Sequence, residues 1–132
     1  MKLLFICTGN TCRSPMAMCM ANALGHEAQS AGMRVGWQGL PASEGAFAAM
    51  KSRGLDISAH RNQQVNEKLL HWADKIICAT NEHSQRLAEL YPVYQGKITA
   101  FSPPIFDPYG YSEDVYERTA ALIESQLKEM FP

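Results

Sequence analysis

The sequence carries no surplus of either charge. Its 12 Lys and Arg face 13 Asp and Glu, and no run of basic residues stands anywhere in it. A nucleic-acid or membrane-surface partner needs a concentrated positive field, so neither is expected. Any anion site has to be assembled locally from a few groups. Cysteine is scarce too. Cys7, Cys12, Cys19 and Cys78 include no C-x-x-C pair and are too few for the disulfide framework of a small secreted domain. Cys7 and Cys12 could open a zinc site, but no second Cys/His pair stands at ligand spacing, so neither a metal nor a cofactor is expected. Long apolar runs are missing as well, because Gly9, Asn10 and Arg13 interrupt the N-terminal one. That leaves no secretory leader and no span of about 20 apolar residues. A reducing cytoplasm is the expected setting.

What is present suits one soluble domain over residues 1–132, with 46 % hydrophobic and 19 % charged residues to build a core and a surface. Lys2 to Cys7 reads as a buried strand that runs into the turn Thr8-Gly9-Asn10. A helix follows from Ser14, with Pro15 as its first residue, and ends before Gly25. Glu27 to Ala31 reads as a second strand, and Gly32 to Pro41 as a loop. Helices are predicted from Ser43 to Arg53 and after Asn66, the latter carrying Leu69, Leu70 and Trp72. A third strand spans Lys75 to Ala79, a helix capped by Asn81 runs through Leu90, and a last strand spans Lys97 to Phe101. Ser112 caps a terminal helix with Tyr116, Thr119, Ala120, Ile123, Leu127 and Met130 on one face. Strands alternating with helices at these lengths predict an α/β fold around a parallel sheet. Its ligands bind beyond the carboxyl ends of the strands, where Cys7 lies.

The informative segment is Cys7-Thr8-Gly9-Asn10-Thr11-Cys12-Arg13-Ser14-Pro15. Five residues between a Cys and an Arg let the backbone curl into a ring of inward N–H groups, with the sulfur below and the guanidinium at the rim. Gly9 and Asn10 are the residues best able to take the left-handed conformations such a curl requires. The following helix aims its positive end at the same spot. These donors match the oxygens of a phosphoryl group, which Arg13 also grips bidentately, and the same field favours the thiolate of Cys7 as a nucleophile. The pattern C-x-x-x-x-x-R alone also fits a buried small hydrophobe and a surface charge. Its place between strand and helix, with Gly-Asn inside and Ser-Pro after, favours the nucleophile.

Through this loop above all, the chain resembles the low-molecular-weight protein-tyrosine-phosphatase family over nearly its whole length. The resemblance implies a single-domain four-stranded parallel sheet flanked by helices on both faces, with a phosphate-binding loop after the first strand. It implies a metal-free hydrolysis of phosphorylated protein side chains through a phosphocysteine intermediate. By match to the family motif, Cys7 is the nucleophile, Arg13 the transition-state clamp and Ser14 the hydroxyl that stabilises the thiolate. Asp107, in Asp107-Pro108-Tyr109-Gly110, is the general acid. Thr8, Gly9, Asn10, Thr11, Cys12 and Ser14 complete the phosphate loop, and Asn10, Ser30 and His60 form a network that holds it open. The parts make chemical sense together, since in-line displacement needs a thiolate, preorganised donors and an acid opposite. Taken singly, Asp107 also fits an ordinary turn before proline, and His60 a satisfied core or surface histidine.

The phosphoryl carrier is less sharply written. Thr11 stands where tyrosine-directed members of the family usually carry a larger β-branched hydrocarbon, and resembles the protein-arginine-phosphatase branch. Thr80 stands where such members often have an Asp, and Gly110 where a second aromatic often follows the acid. Trp37 and Tyr109 supply the walls of a slot that accepts a phenyl ring or a stacked guanidinium alike. Phosphoarginine is therefore favoured slightly over phosphotyrosine. Arsenate reduction on the same scaffold would need two more relayed cysteines, and Cys78 stands alone there. A thiol redox sensor is a further alternative, with Cys12 placed for a disulfide with Cys7 that would regulate the enzyme. Cys19 and Cys78 read as core residues.

Overall fold

The computed structural model describes residues 1–132. Strand β1 (Lys2–Cys7) lies inside a four-stranded sheet in which every pairing is parallel. Around it run β2 (Glu27–Gly32), β3 (Lys75–Cys78) and β4 (Ile98–Ala100), in the spatial order β2-β1-β3-β4. The register sets Cys7 opposite Gly32 on one side and Ile6 opposite Cys78 on the other. Side chains alternate across a strand, so Leu3, Phe5 and Cys7 enter one core and Leu4 and Ile6 the other. Both faces are covered, which is why β1 is an unbroken apolar run.

The first face is covered by α1 (Arg13–Ala23), α2 (Glu44–Lys51) and α5 (Glu113–Met130), the second by α3 (Glu67–Trp72) and α4 (Asn81–Leu90). Helix α5 buries Tyr116, Thr119, Ala120, Ile123 and Leu127, as its periodicity predicts, and adds Gln126. Met130 is only partly buried. The Gln126 amide is satisfied by the Ser102 N–H and the Pro103 carbonyl, which ties α5 to the loop after β4. Phe5 and Phe101 stack at 6.1 Å inside this core, and full burial of such a ring contributes about 2–3 kcal/mol. Gly45 lies against the Tyr116 ring, in space that a Cβ would need.

Several boundaries differ from the sequence reading for identifiable reasons. Helix α1 starts at Arg13, so Pro15 is its third residue and not its first. The change costs no hydrogen bond, because the first helical N–H groups have no intrahelical partner. Helix α4 is capped by Thr80, whose hydroxyl accepts the His83 N–H, and not by Asn81. Ser112 stands at the start of α5 without a side-chain capping bond. Residues Pro92–Lys97 form a 3₁₀ helix absent from the sequence reading, and β4 is correspondingly short. None of these moves the phosphate loop. It leaves β1 where the chain turns toward β2 on one side while β3 lies on the other, the switch point at which such sheets bind ligands.

Candidate active site

Asn10 organises the loop. It is the one non-glycine residue with positive φ, at 59°, and it is fully buried. Gly9, expected to share that role, is not among the positive-φ residues. The Asn10 side chain is oriented without ambiguity, since its Oδ1 accepts the Gln63 backbone N–H at 3.0 Å. Its Nδ2 therefore donates to Ser14 Oγ at 2.7 Å and Ser30 Oγ at 3.0 Å. An oxygen that accepts from Asn10 keeps its own proton for another partner. For Ser14 that partner is Cys7 Sγ, 2.9 Å away, so the hydroxyl is set to donate to a thiolate. Ser30 passes its proton to Met18 Sδ at 3.5 Å. His60 Nε2–H donates to the Asn10 carbonyl at 2.8 Å, and burial holds His60 below the ordinary histidine range, which keeps it neutral. Ser30 and His60 thus both converge on Asn10.

Gly32 fixes the approach of β2 to the loop, because a Cβ there would lie 2.5 Å from the Thr8 carbonyl. No backbone N–H from Thr8 to Ser14 is donated to another group of the chain. A row of free amides at the start of α1 is an anion nest. Arg13 reaches over it while only 7 % exposed. Its Nη1 donates to the Ile105 carbonyl at 3.1 Å and its Nη2 to Thr8 Oγ1 at 3.4 Å, whereas its buried Nε has no partner in the chain. An unsatisfied guanidinium donor costs free energy unless an anion is there to accept it.

Cys7, Thr8, Gly9, Thr11, Cys12, Arg13, Asp107 and Tyr109 line one cavity of about 260 Å³. The Ile105 N–H bonds to the Ala79 carbonyl at 2.9 Å. This pins the loop that carries Asp107 to the end of β3, and Asp107 Oδ1 accepts the Tyr109 N–H at 3.1 Å. Tyr109 forms the exposed wall of the cavity. Trp37 does not line it: the indole is 76 % exposed. Its loop is nevertheless tied to the phosphate loop by Asn62, whose Nδ2 donates to the carbonyls of Gly9 and Trp37. Cys12 Sγ faces Ser43 Oγ at 3.2 Å and Tyr116 Oη at 3.3 Å, and burial pushes the Tyr116 phenol up to about 12. All four cysteines are free. Cys78 is core, as expected, whereas Cys19 is only partly buried.

Two contributors escaped the sequence reading. Asn62 sits in the polar stretch after His60, where nothing local marks it. His83 follows Thr80 by three residues, a capping spacing that was readable, but its contact with Thr8 spans 75 positions.

A thiol held by a hydroxyl donor, a nest of amides, and a buried arginine paired with a carboxylate define a cysteine-dependent phosphatase on a doubly wound sheet. The comparisons agree. The family model for low molecular weight phosphotyrosine protein phosphatase matches residues 2–132, and the chain belongs to that family. It is 30 % identical over 139 residues to a protein-arginine-phosphatase of Geobacillus stearothermophilus, covering 98 % of this chain and 93 % of the relative. A crystal structure of a low molecular weight protein tyrosine phosphatase from T. tengcongensis superposes with a TM-score of 0.92 at 37 % identity, covering 98 % and 97 %. A YwlE arginine phosphatase mutant with a phosphorylated active-site serine gives 0.91 at 28 % identity, covering 98 % and 93 %. The chain is a hydrolase of this type, and no helix in it is long and apolar enough to cross a membrane.

Proposed function

We propose that the chain dephosphorylates protein side chains through a phosphocysteine at Cys7, with phosphoarginine slightly favoured over phosphotyrosine. The reading rests above all on Cys7 Sγ at 2.9 Å from Ser14 Oγ, beneath the free amides and the partnerless Arg13 Nε. In the first step the Cys7 thiolate attacks phosphorus as the bond from phosphorus to the leaving oxygen or nitrogen breaks. Asp107 gives its proton to that leaving atom. Arg13 and the loop amides hold the three equatorial oxygens throughout. In the second step water attacks the phosphocysteine, Asp107 takes the proton, and phosphate and the Cys7 thiolate are released.

Phosphoarginine is supported by Thr11 in the cavity wall, by Thr80 bonded to His83, and by Gly110 at φ +83°, where an aromatic residue would be strained. The protein-arginine-phosphatase relative points the same way. Cys78 offers no relay thiol for arsenate reduction, being fully buried with its thiol pushed up to about 12. Four free thiols suit a reducing cytoplasm. The decisive experiment compares rates on phosphoarginyl and phosphotyrosyl peptides, with arsenate as a control. Cys7→Ser is expected to abolish turnover while leaving phosphate binding largely intact. Turnover that survives in this variant removes the nucleophile, and a higher rate on phosphotyrosine reverses the preference.

A further inference from the structure

His83 belongs to no part of the mechanism above, yet it joins the loop to the end of β3. Its Nδ1 lies 2.8 Å from Thr80 Oγ1 and its Nε2 2.8 Å from Thr8 Oγ1. Thr8 Oγ1 also receives Arg13 Nη2–H at 3.4 Å. Two proton arrangements satisfy these distances. If Nδ1 carried the proton, Thr80 would accept it along with the His83 backbone N–H. The half-buried Thr80 hydroxyl proton would then have no acceptor, since its only partners are those two groups. If Nε2 carries the proton, Thr80 donates to Nδ1 and nothing half-buried is left over. Leaving a shielded donor unmade is the costlier choice, so Nε2–H donates to Thr8. Both lone pairs of Thr8 Oγ1 are then taken, by His83 and by Arg13. Its hydroxyl proton is the one donor in the set without an acceptor, on an exposed residue that lines the catalytic cavity.

We propose that His83 is a positioning residue that, with Arg13, turns the Thr8 hydroxyl outward as an additional side-chain donor to an oxygen of the bound phosphoryl group. The inference rests on the phosphatase reading of the cavity and adds a specific contact to it. Burial and the Arg13 guanidinium hold His83 below the ordinary histidine range, against the opposing pull of Glu82 and Asp107. The ring is thus neutral near pH 7, as the arrangement requires.

The test uses the whole chain in four forms: Thr8→Val, His83→Phe, the double variant, and His83→Gln, whose amide keeps a donor near Nε2. Two readouts are taken, kcat/KM on an aryl phosphate and the dissociation constant of inorganic phosphate. Thr8→Val and His83→Phe are each expected to lower the first and raise the second by about 5- to 10-fold, the worth of one neutral hydrogen bond. The double variant is expected to be no worse than either alone, and His83→Gln to recover most of the loss. Losses that multiply in the double variant overturn the proposal, as does Thr8→Val with unchanged phosphate binding. Because Thr8 is exposed, that variant remains decisive even if His83→Phe fails to fold. Failure of the phosphatase reading shows separately, as turnover independent of Cys7, while the phosphate-binding readout still reports on Thr8 and His83.

Discussion

Arg13 and Asp107 meet across the mouth of the cavity, with Arg13 Nη2 3.7 Å from Asp107 Oδ2. The two ends of this pair differ sharply, the arginine side chain being 8 % exposed and the carboxylate 53 %. An ion pair with one end in water contributes little to stability, so its significance is geometric. The Arg13 Nη1 bond to the Ile105 carbonyl ties this loop to the arginine, and Asp107 follows two residues later.

Asp107→Asn removes the transferable proton and keeps the shape. The expected loss is about 10²-fold or more on substrates with poor leaving groups, and far less on an activated aryl ester whose leaving group needs no proton. The measurement is the ratio of the two losses. Equal losses on both substrates would count against Asp107 as the acid.

The Asn10 network carries a stability prediction. Asn10→Ala leaves Ser14, Ser30 and the Gln63 N–H without their partner, at a position whose φ of 59° is unfavourable for alanine. Several unmade hydrogen bonds plus that strain imply a loss of about 2–4 kcal/mol, read from the urea midpoint. Activity is expected to fall more than the folded fraction, because Ser14 loses the donor that orients its hydroxyl toward Cys7 Sγ. A variant with normal stability and turnover would sink this account of the loop.

Much of this was legible because chain-local physics wrote it. The unbroken apolar run of β1, the turn at Asn10 and the helix after it are set by neighbours in sequence. The Cys7-to-Ser14 segment therefore announced its own chemistry. Groups that meet across the fold left no such trace. His83 touches Thr8 only because β1 and β3 are adjacent, and Asn62 reaches Gly9 across 53 positions. Ser30 and His60 were found through resemblance to a family and not through any local pattern. The split between Gly9 and Asn10 was unreadable too, since both tolerate positive φ and the Asn10 side-chain contacts decide which residue takes it.

Thr11 bears on substrate choice. Thr11 lines the cavity, and its hydroxyl lies 3.8 Å from Cys12 Sγ. Thr11→Ile replaces that polar edge with hydrocarbon, which favours a phenyl ring over a guanidinium. The expected outcome is a fall of about 5-fold or more in the ratio of phosphoarginine to phosphotyrosine kcat/KM. An unchanged ratio would remove Thr11 as a specificity determinant.

A buried histidine and a half-buried one give stability its pH dependence near neutrality. Burial holds His60 below its ordinary value, aided by Arg61 and opposed by its bond to the Asn10 carbonyl. His83 is lowered as well, again chiefly by burial. An unfolded histidine takes up a proton near pH 6.5, where the folded ring still resists it. The unfolded chain then binds more protons, and stability falls as pH drops below about 7, until the folded rings titrate too. The lowered carboxylates Asp56 and Glu117 act near pH 4 and below, outside this window. His60→Gln keeps a donor for the Asn10 carbonyl but cannot titrate. The native chain is expected to lose Tm between pH 7.5 and 5.5, and His60→Gln to lose less over the same interval, with His83 supplying the remainder. Identical slopes for the two proteins would mean that His60 is not held neutral in the fold.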